Sequence, residues 1–150
     1  MTTPHGDAAD ATLLASRALL GAIARSATEA LARITLPELR ILVLLTSNGQ
    51  LTSHEVADRC HGTPAITGDS LESLASQGLI EESGSADPVV QITSRGREIV
   101  DEVTERRRSE LAAILARLTP EQQSEIEHAL RIFASAAEET RAEELLILGL

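Results

Sequence analysis

Apolar positions recur at helical spacing along most of the chain, and polar capping residues cut that pattern into segments. Residues 1–7 are polar and read as a frayed tail. From Ala8 to about Ile34 the positions Leu13, Leu14, Ala18, Leu19, Ala22, Ile23, Ala27, Ala30 and Leu31 predict one long helix. They cover more than one of its faces, so it needs partners on several sides. Thr35 and Glu38 form a capping box with Pro37 in the first turn. Leu39 and Ile41 to Leu45 then predict a second helix, closed by Ser47-Asn48-Gly49. Leu51 suits a very short strand. Thr52 and Glu55 repeat the capping box ahead of a short helix carrying Val56, Ala57 and Cys60. Thr63-Pro64 caps a further helix with Ile66, Leu71 and Leu74, stopped by Gly78. Leu79 and Ile80 begin one strand, and Val89, Val90 and Ile92 form another around the polar turn Glu81 to Pro88. Ser94 opens a long helix to about Leu118. Thr119-Pro120-Glu121-Gln122 caps the last one, which carries Ile126, Ala129, Leu130, Phe133 and Ala137. The tail Leu145 to Leu150 is apolar and needs burial.

The order of these elements predicts an all-α fold with a small β wing, organised as a single domain over residues 1–150. Residues 36–93 make a winged helix-turn-helix module. Long dimerisation helices lie over 8–34 and 94–146. The flanking helices offer more apolar face than so small a module can cover. A homodimer with interlocked first and last helices is the expected solution. It would present two recognition helices to a two-fold site on double-stranded DNA.

Composition changes the picture at one point, the charge. Twenty-three acidic residues outweigh 13 basic ones, all of them Arg, for a net charge of −10. Between Ile41 and Ile92 stand Glu55, Asp58, Asp69, Glu72, Glu81, Glu82 and Asp87 against Arg59 alone. Affinity for phosphate comes from cations, so this module is acidic where a basic patch is expected. Phe133 is the sole aromatic residue, which all but excludes base stacking. A mean hydropathy near zero with 43% apolar residues fits a folded chain. No apolar run reaches membrane-span length, and the polar, acidic N-terminus lacks signal-peptide character, so the expected location is the cytoplasm.

Candidate chemistry is sparse. Cys60 with His61 suits a redox switch only in a cationic or helix-N-terminal setting, and Cys60 stands near a helix C-terminus; a small core residue is the plainer reading. His54, Cys60, His61 and His128 have no metal-ligand spacing, and no cofactor motif is present. Arg106-Arg107-Arg108 reads as a solvated face paired with Glu102, Glu105 and Glu110. No nucleophile motif, phosphate loop or distinctive carboxylate pair points to catalysis.

The stretches Leu36-Pro37-Glu38-Leu39-Arg40-Ile41-Leu42, Leu51 to Ala57, Leu74 with Gly78-Leu79-Ile80, Ile92 to Gly96 and Leu118 to Gln122 together resemble the MarR family of ligand-responsive transcriptional regulators. The resemblance spans roughly residues 10–140. It implies DNA binding by the third module helix and a ligand crevice between the dimerisation helices and the module. The DNA-contact candidates are Arg40, Ser53, Arg59, Thr63, Ala65, Ile66, Thr67, Asp69, Ser70, Ser85, Arg95 and Arg97. The crevice candidates, for a small apolar or anionic ligand, are Leu14, Arg17, Ile41, Leu44, Leu45 and His61. Against the family pattern, Gly68 and Asp69 occupy the polar-basic positions of the recognition helix. Glu81 and Glu82 replace an Arg, and Pro88-Val89 follows Asp87 where the wing Arg belongs. Three readings stay open: a ligand-responsive regulator that binds DNA as a homodimer, a family fold that has lost DNA binding and uses its crevice for a small molecule or cofactor-free chemistry, and an acidic protein-interaction module.

Overall fold

A computed structural model describes residues 4–60 and 63–137. The order is α1 (Pro4–Leu31), α2 (Leu36–Asn48), β1 (Leu51–Thr52), α3 (Ser53–Arg59), α4 (Pro64–Ser76), β2 (Ile80–Ser83), β3 (Val89–Ile92), α5 (Ser94–Leu115) and α6 (Pro120–Ala136). The expected element order is found, with shifted ends. The first helix starts at Pro4, so part of the expected tail is helical. α5 closes at Leu115 rather than Leu118. Strand pairing runs on through Glu81 and Glu82 to Ser83, which shortens the turn, and β1 joins to make three antiparallel strands in the order β1-β3-β2. The tail Leu145 to Leu150 lies outside the described residues, as does the end of the last helix expected toward residue 146.

The caps act as their spacing requires. Thr35 N–H donates to Glu38 Oε2 at 2.6 Å while Glu38 N–H donates to Thr35 Oγ1. Thr52 with Glu55 and Thr119 with Gln122 make the same reciprocal pair. After α4, Gly78 takes φ 69° and Leu79 N–H reaches back to Leu74 O at 2.9 Å, which turns the chain into β2.

α2 is the axis of the core. Leu39, Ile41, Leu42, Leu44 and Leu45 are buried on it, packed with Val56 of α3, Leu71 and Leu74 of α4, Ile80, Val90 and Ile92 of the sheet, and Ile99, Val100 and Val103 of α5. Gly96 lets α5 approach closely: a Cβ there would collide with Leu79 O and stand 2.7 Å from Ile92 Cγ1. α1 adds only Ala27 and Ala30 to this core and the turn after it adds Ile34, with Ala22 and Ser26 buried beyond.

The rest of α1 and all of α6 are different. No large apolar residue of α1 before Ala22 is buried, and α6 has no buried residue. Leu13, Leu14, Leu19 and Leu20 of α1, Ile114 and Leu115 of α5, and Ile126, Leu130, Ile132 and Phe133 of α6 are exposed. Three ion pairs lace α1 and the turn after it to α5, namely Arg25–Glu110 at 2.8 Å and Glu29–Arg106 from the helix and Arg33–Glu102 from the turn. The glutamates expected beside the arginine run along α5 are therefore mostly engaged elsewhere. Arg106 pairs with α1, and only Arg108 pairs within its own helix, with Glu105.

Candidate nucleic-acid interface and the cavity behind it

α4 begins at Thr63, whose Oγ1 accepts from Ile66 N–H, with Pro64 at the first helical position. Its inward face is Thr67, Ser70, Leu71 and Leu74, all buried. Those positions follow the spacing i, i+3, i+4, i+7, one helical stripe. The outward face carries Ala65, Gly68, Asp69 and Glu72. It presents one bare backbone position and two carboxylates.

The wing is drawn onto α3. Ser53 N–H donates to Pro88 O at 2.9 Å, and Ser53 Oγ donates to the same oxygen. His54 N–H donates to Asp87 Oδ1 at 3.2 Å, so Asp87 satisfies one free amide of the α3 first turn. Glu81 and Glu82 stand exposed on β2.

Behind α4 lies a cavity of about 300 Å³ lined by Pro37, Arg40, Ile41, Cys60, Thr63, Ile66, Thr67 and Ser70. It combines one cation, three hydroxyls and an apolar wall. Burial pushes the Cys60 thiol up to about 11, and the nearby Arg40 charge only partly opposes this. The thiol is therefore protonated at neutral pH and a poor nucleophile. Among the described residues no group of three His, Cys, Asp or Glu side chains is placed to hold a metal. No described helix is long and apolar enough to cross a membrane.

No family model and no curated protein matches the sequence. Solved structures do. RV1404 from Mycobacterium tuberculosis is 30% identical, over 95% of this chain and 99% of its own, with a TM-score of 0.71. The Mycobacterium tuberculosis MarR family protein RV2887 is 26% identical over 88% of this chain and 95% of its own, with a TM-score of 0.60. This chain belongs to the MarR family. A mutant of S. aureus MepR bound to an oligodeoxyribonucleotide shares the fold at 16% identity, over 87% of this chain and 97% of its own, with a TM-score of 0.69.

With the MarR fold in place, the twelve positions named for DNA contact separate. Arg40, Thr63, Ile66, Thr67 and Ser70 line the cavity. Thr67 and Ser70 are buried, because the helical stripe turns both inward despite their polar side chains. Ser53 is half-buried and held to the wing, and Arg59 is half-buried with Nη1 donating to Asn48 Oδ1 at 2.8 Å. Ala65, Asp69, Ser85, Arg95 and Arg97 are exposed, as are the cavity-lining Thr63 and Ile66. Arg40, Arg59 and Arg95 do not share one patch. Arg40 lines the cavity, Arg59 reaches the C-terminal end of α2, and Arg95 lies beside Gly78 past the end of α4.

The crevice set separates too. Leu44 and Leu45 are core residues, buried on the inward face of α2. Leu14, at 70% exposure, and Arg17 sit on the projecting half of α1. Ile41 lines the cavity, and His61 lies outside the described residues. Sequence reasoning missed Pro37 as a lining residue and the contact of Asp87 with the first turn of α3. The Asp87 contact joins residues 33 apart in sequence, so no local signal announces it.

Proposed function

We propose that this chain is a MarR-family transcriptional regulator acting in the cytoplasm. It binds double-stranded DNA as a homodimer and responds to a small ligand in the cavity behind α4. The observation that carries the reading is the pairing of a winged helix-turn-helix with helices whose apolar faces are exposed among the described residues. A second copy covers them and brings two α4 helices to one two-fold site. The oligodeoxyribonucleotide-bound MepR mutant shares the fold and supports the DNA reading. Contact falls to the α4 N-terminal backbone and to Arg95 and Arg97, with little direct base readout.

The cavity supports the ligand half. Arg40, Thr63, Thr67 and Ser70 suit an anionic or hydroxylated group, and Ile41, Ile66 and Pro37 suit an apolar body. Its wall includes one whole face of the α4 N-terminal half, so a ligand that prefers one setting of α4 shifts the DNA-competent population. A second reading, a MarR fold that keeps the cavity but has lost DNA, is favoured by one observation. The outward α4 positions are Ala65, Gly68, Asp69 and Glu72, without a cation.

Electrophoretic shift of the DNA upstream of the chain's own gene decides between them. The regulator reading expects a discrete complex of two chains per site, strengthened by Asp69→Arg. No complex at low salt, with wild type and variant alike, selects the second reading.

A further inference from the structure

One buried polar atom lies outside everything described so far. Arg107 stands on α5 one turn beyond Val103, on the stripe Ile99, Val103, Arg107, Leu111, whose first half packs into the core. Its Nε is sealed from solvent and has no hydrogen-bond partner among the described residues. Its neighbours are already engaged: Glu102 by Arg33, Glu105 by Arg108, Glu110 by Arg25, and Glu29 by Arg106. Arginine cannot escape by losing its proton under ordinary conditions.

The surroundings say what covers it. Beyond Arg107 the stripe runs out to Leu111, half-buried, and then to Ile114 and Leu115, which are exposed. The adjoining α1, registered against α5 by the Arg25–Glu110 and Glu29–Arg106 pairs, exposes Leu19 and Leu20. Arg107 therefore sits where the chain's own core gives way to uncovered apolar surface. A second copy seated there removes the water left around the guanidinium. A charge taken out of water without a partner opposes association, and one given a carboxylate does not.

We propose that Arg107 donates to a carboxylate of a second copy of this chain, giving the dimer two inter-subunit ion pairs related by its two-fold axis. The proposal rests on the homodimer reading above and adds a determinant of partner choice: a paralogous chain lacking that carboxylate is rejected, because it would bury Arg107 unpaired. Described carboxylates on the dimerisation helices without an ion pair among the described residues are Asp7, Asp10, Glu98, Asp101, Glu121 and Glu125.

The test is the dimer dissociation constant of the full chain by sedimentation equilibrium, for wild type, Arg107→Met, Arg107→Lys and the exposed control Arg108→Met. Circular dichroism of each confirms folding. A Met side chain retains the apolar stem, so the sign of its effect decides. If a partner carboxylate exists, Arg107→Met strands it. The constant then rises tenfold or more, Arg107→Lys recovers part of the loss, and replacing the responsible carboxylate by its amide relieves the defect of Arg107→Met. If no carboxylate is there, Arg107→Met only removes a desolvated charge, and association stays equal or tightens, which overturns the proposal. A wild type that stays monomeric at micromolar concentration overturns the homodimer reading itself and this proposal with it. A folded Arg107→Met with a normal constant overturns this proposal alone.

Discussion

Gly68 sits inside α4 with open space where a Cβ would go, and its neighbour Asp69 faces outward. Glycine in a helix interior costs about 1 kcal/mol relative to alanine. Gly68→Ala is therefore expected to raise stability by about that amount, read as a higher Tm in thermal denaturation. Gly96→Ala is the opposite case. The added methyl meets Leu79 O and Ile92 Cγ1, and overpacking of this kind costs about 1–3 kcal/mol. An equal or higher Tm for Gly96→Ala contradicts the close approach of α5. Cys60 gives a third expectation at this scale. A thiol raised from 9.0 to about 11 carries a thiolate fraction about 100-fold lower at neutral pH, so alkylation of the folded chain is expected to be correspondingly slower than that of an ordinary thiol. Alkylation at the ordinary rate shows that the thiol is not buried.

At the scale of elements, the caps were legible because they are local. Thr-x-x-Glu and Thr-x-x-Gln place both partners of a capping box within four residues, and Thr35, Thr52 and Thr119 act as that spacing requires. The inward face of α4 was legible in its spacing but hidden by chemistry. Positions 67, 70, 71 and 74 form one stripe, yet Thr67 and Ser70 read as surface residues. The partners of the Arg106 run were not legible at all, because Glu29 lies 77 residues away and meets Arg106 only once α1 and α5 are in register. Glu38 joins a cap to the core. Burial pushes its carboxyl up, but hydrogen bonds from Ser73 and Thr35 outweigh that and leave it below its ordinary value of 4.5. A carboxyl depressed in the folded state adds stability above about 4.5, and that stability is lost as pH falls through the lowered value. Glu38→Gln is expected to lower Tm at neutral pH, with the deficit shrinking in acid. A deficit that does not change with pH contradicts the ionised cap.

At the scale of the whole molecule, the structure divides into a module with a buried core and helices whose apolar residues are exposed among the described residues. The winged helix-turn-helix was readable from the order of caps, turns and apolar stripes, and the MarR-family relatives agree with it. The site was readable only in part. Arg40, Thr63, Ile66, Thr67 and Ser70 belong to segments that the sequence could order but not rotate, and folding gathers them around the cavity, with Thr63 and Ile66 still exposed. That leaves Arg95 and Arg97 as the exposed cations among the positions named for DNA contact. Each phosphate neutralised adds about 0.9 to the dependence of log binding constant on log salt, so four such arginines in a dimer set a slope of about −4. The most direct measurement is fluorescence anisotropy of the chain on its own upstream DNA between roughly 50 and 200 mM salt. A regulator binding as a homodimer gives saturable binding of two chains per site with a slope of about −4, abolished in Arg95→Ala with Arg97→Ala. No binding at the lowest salt contradicts the account.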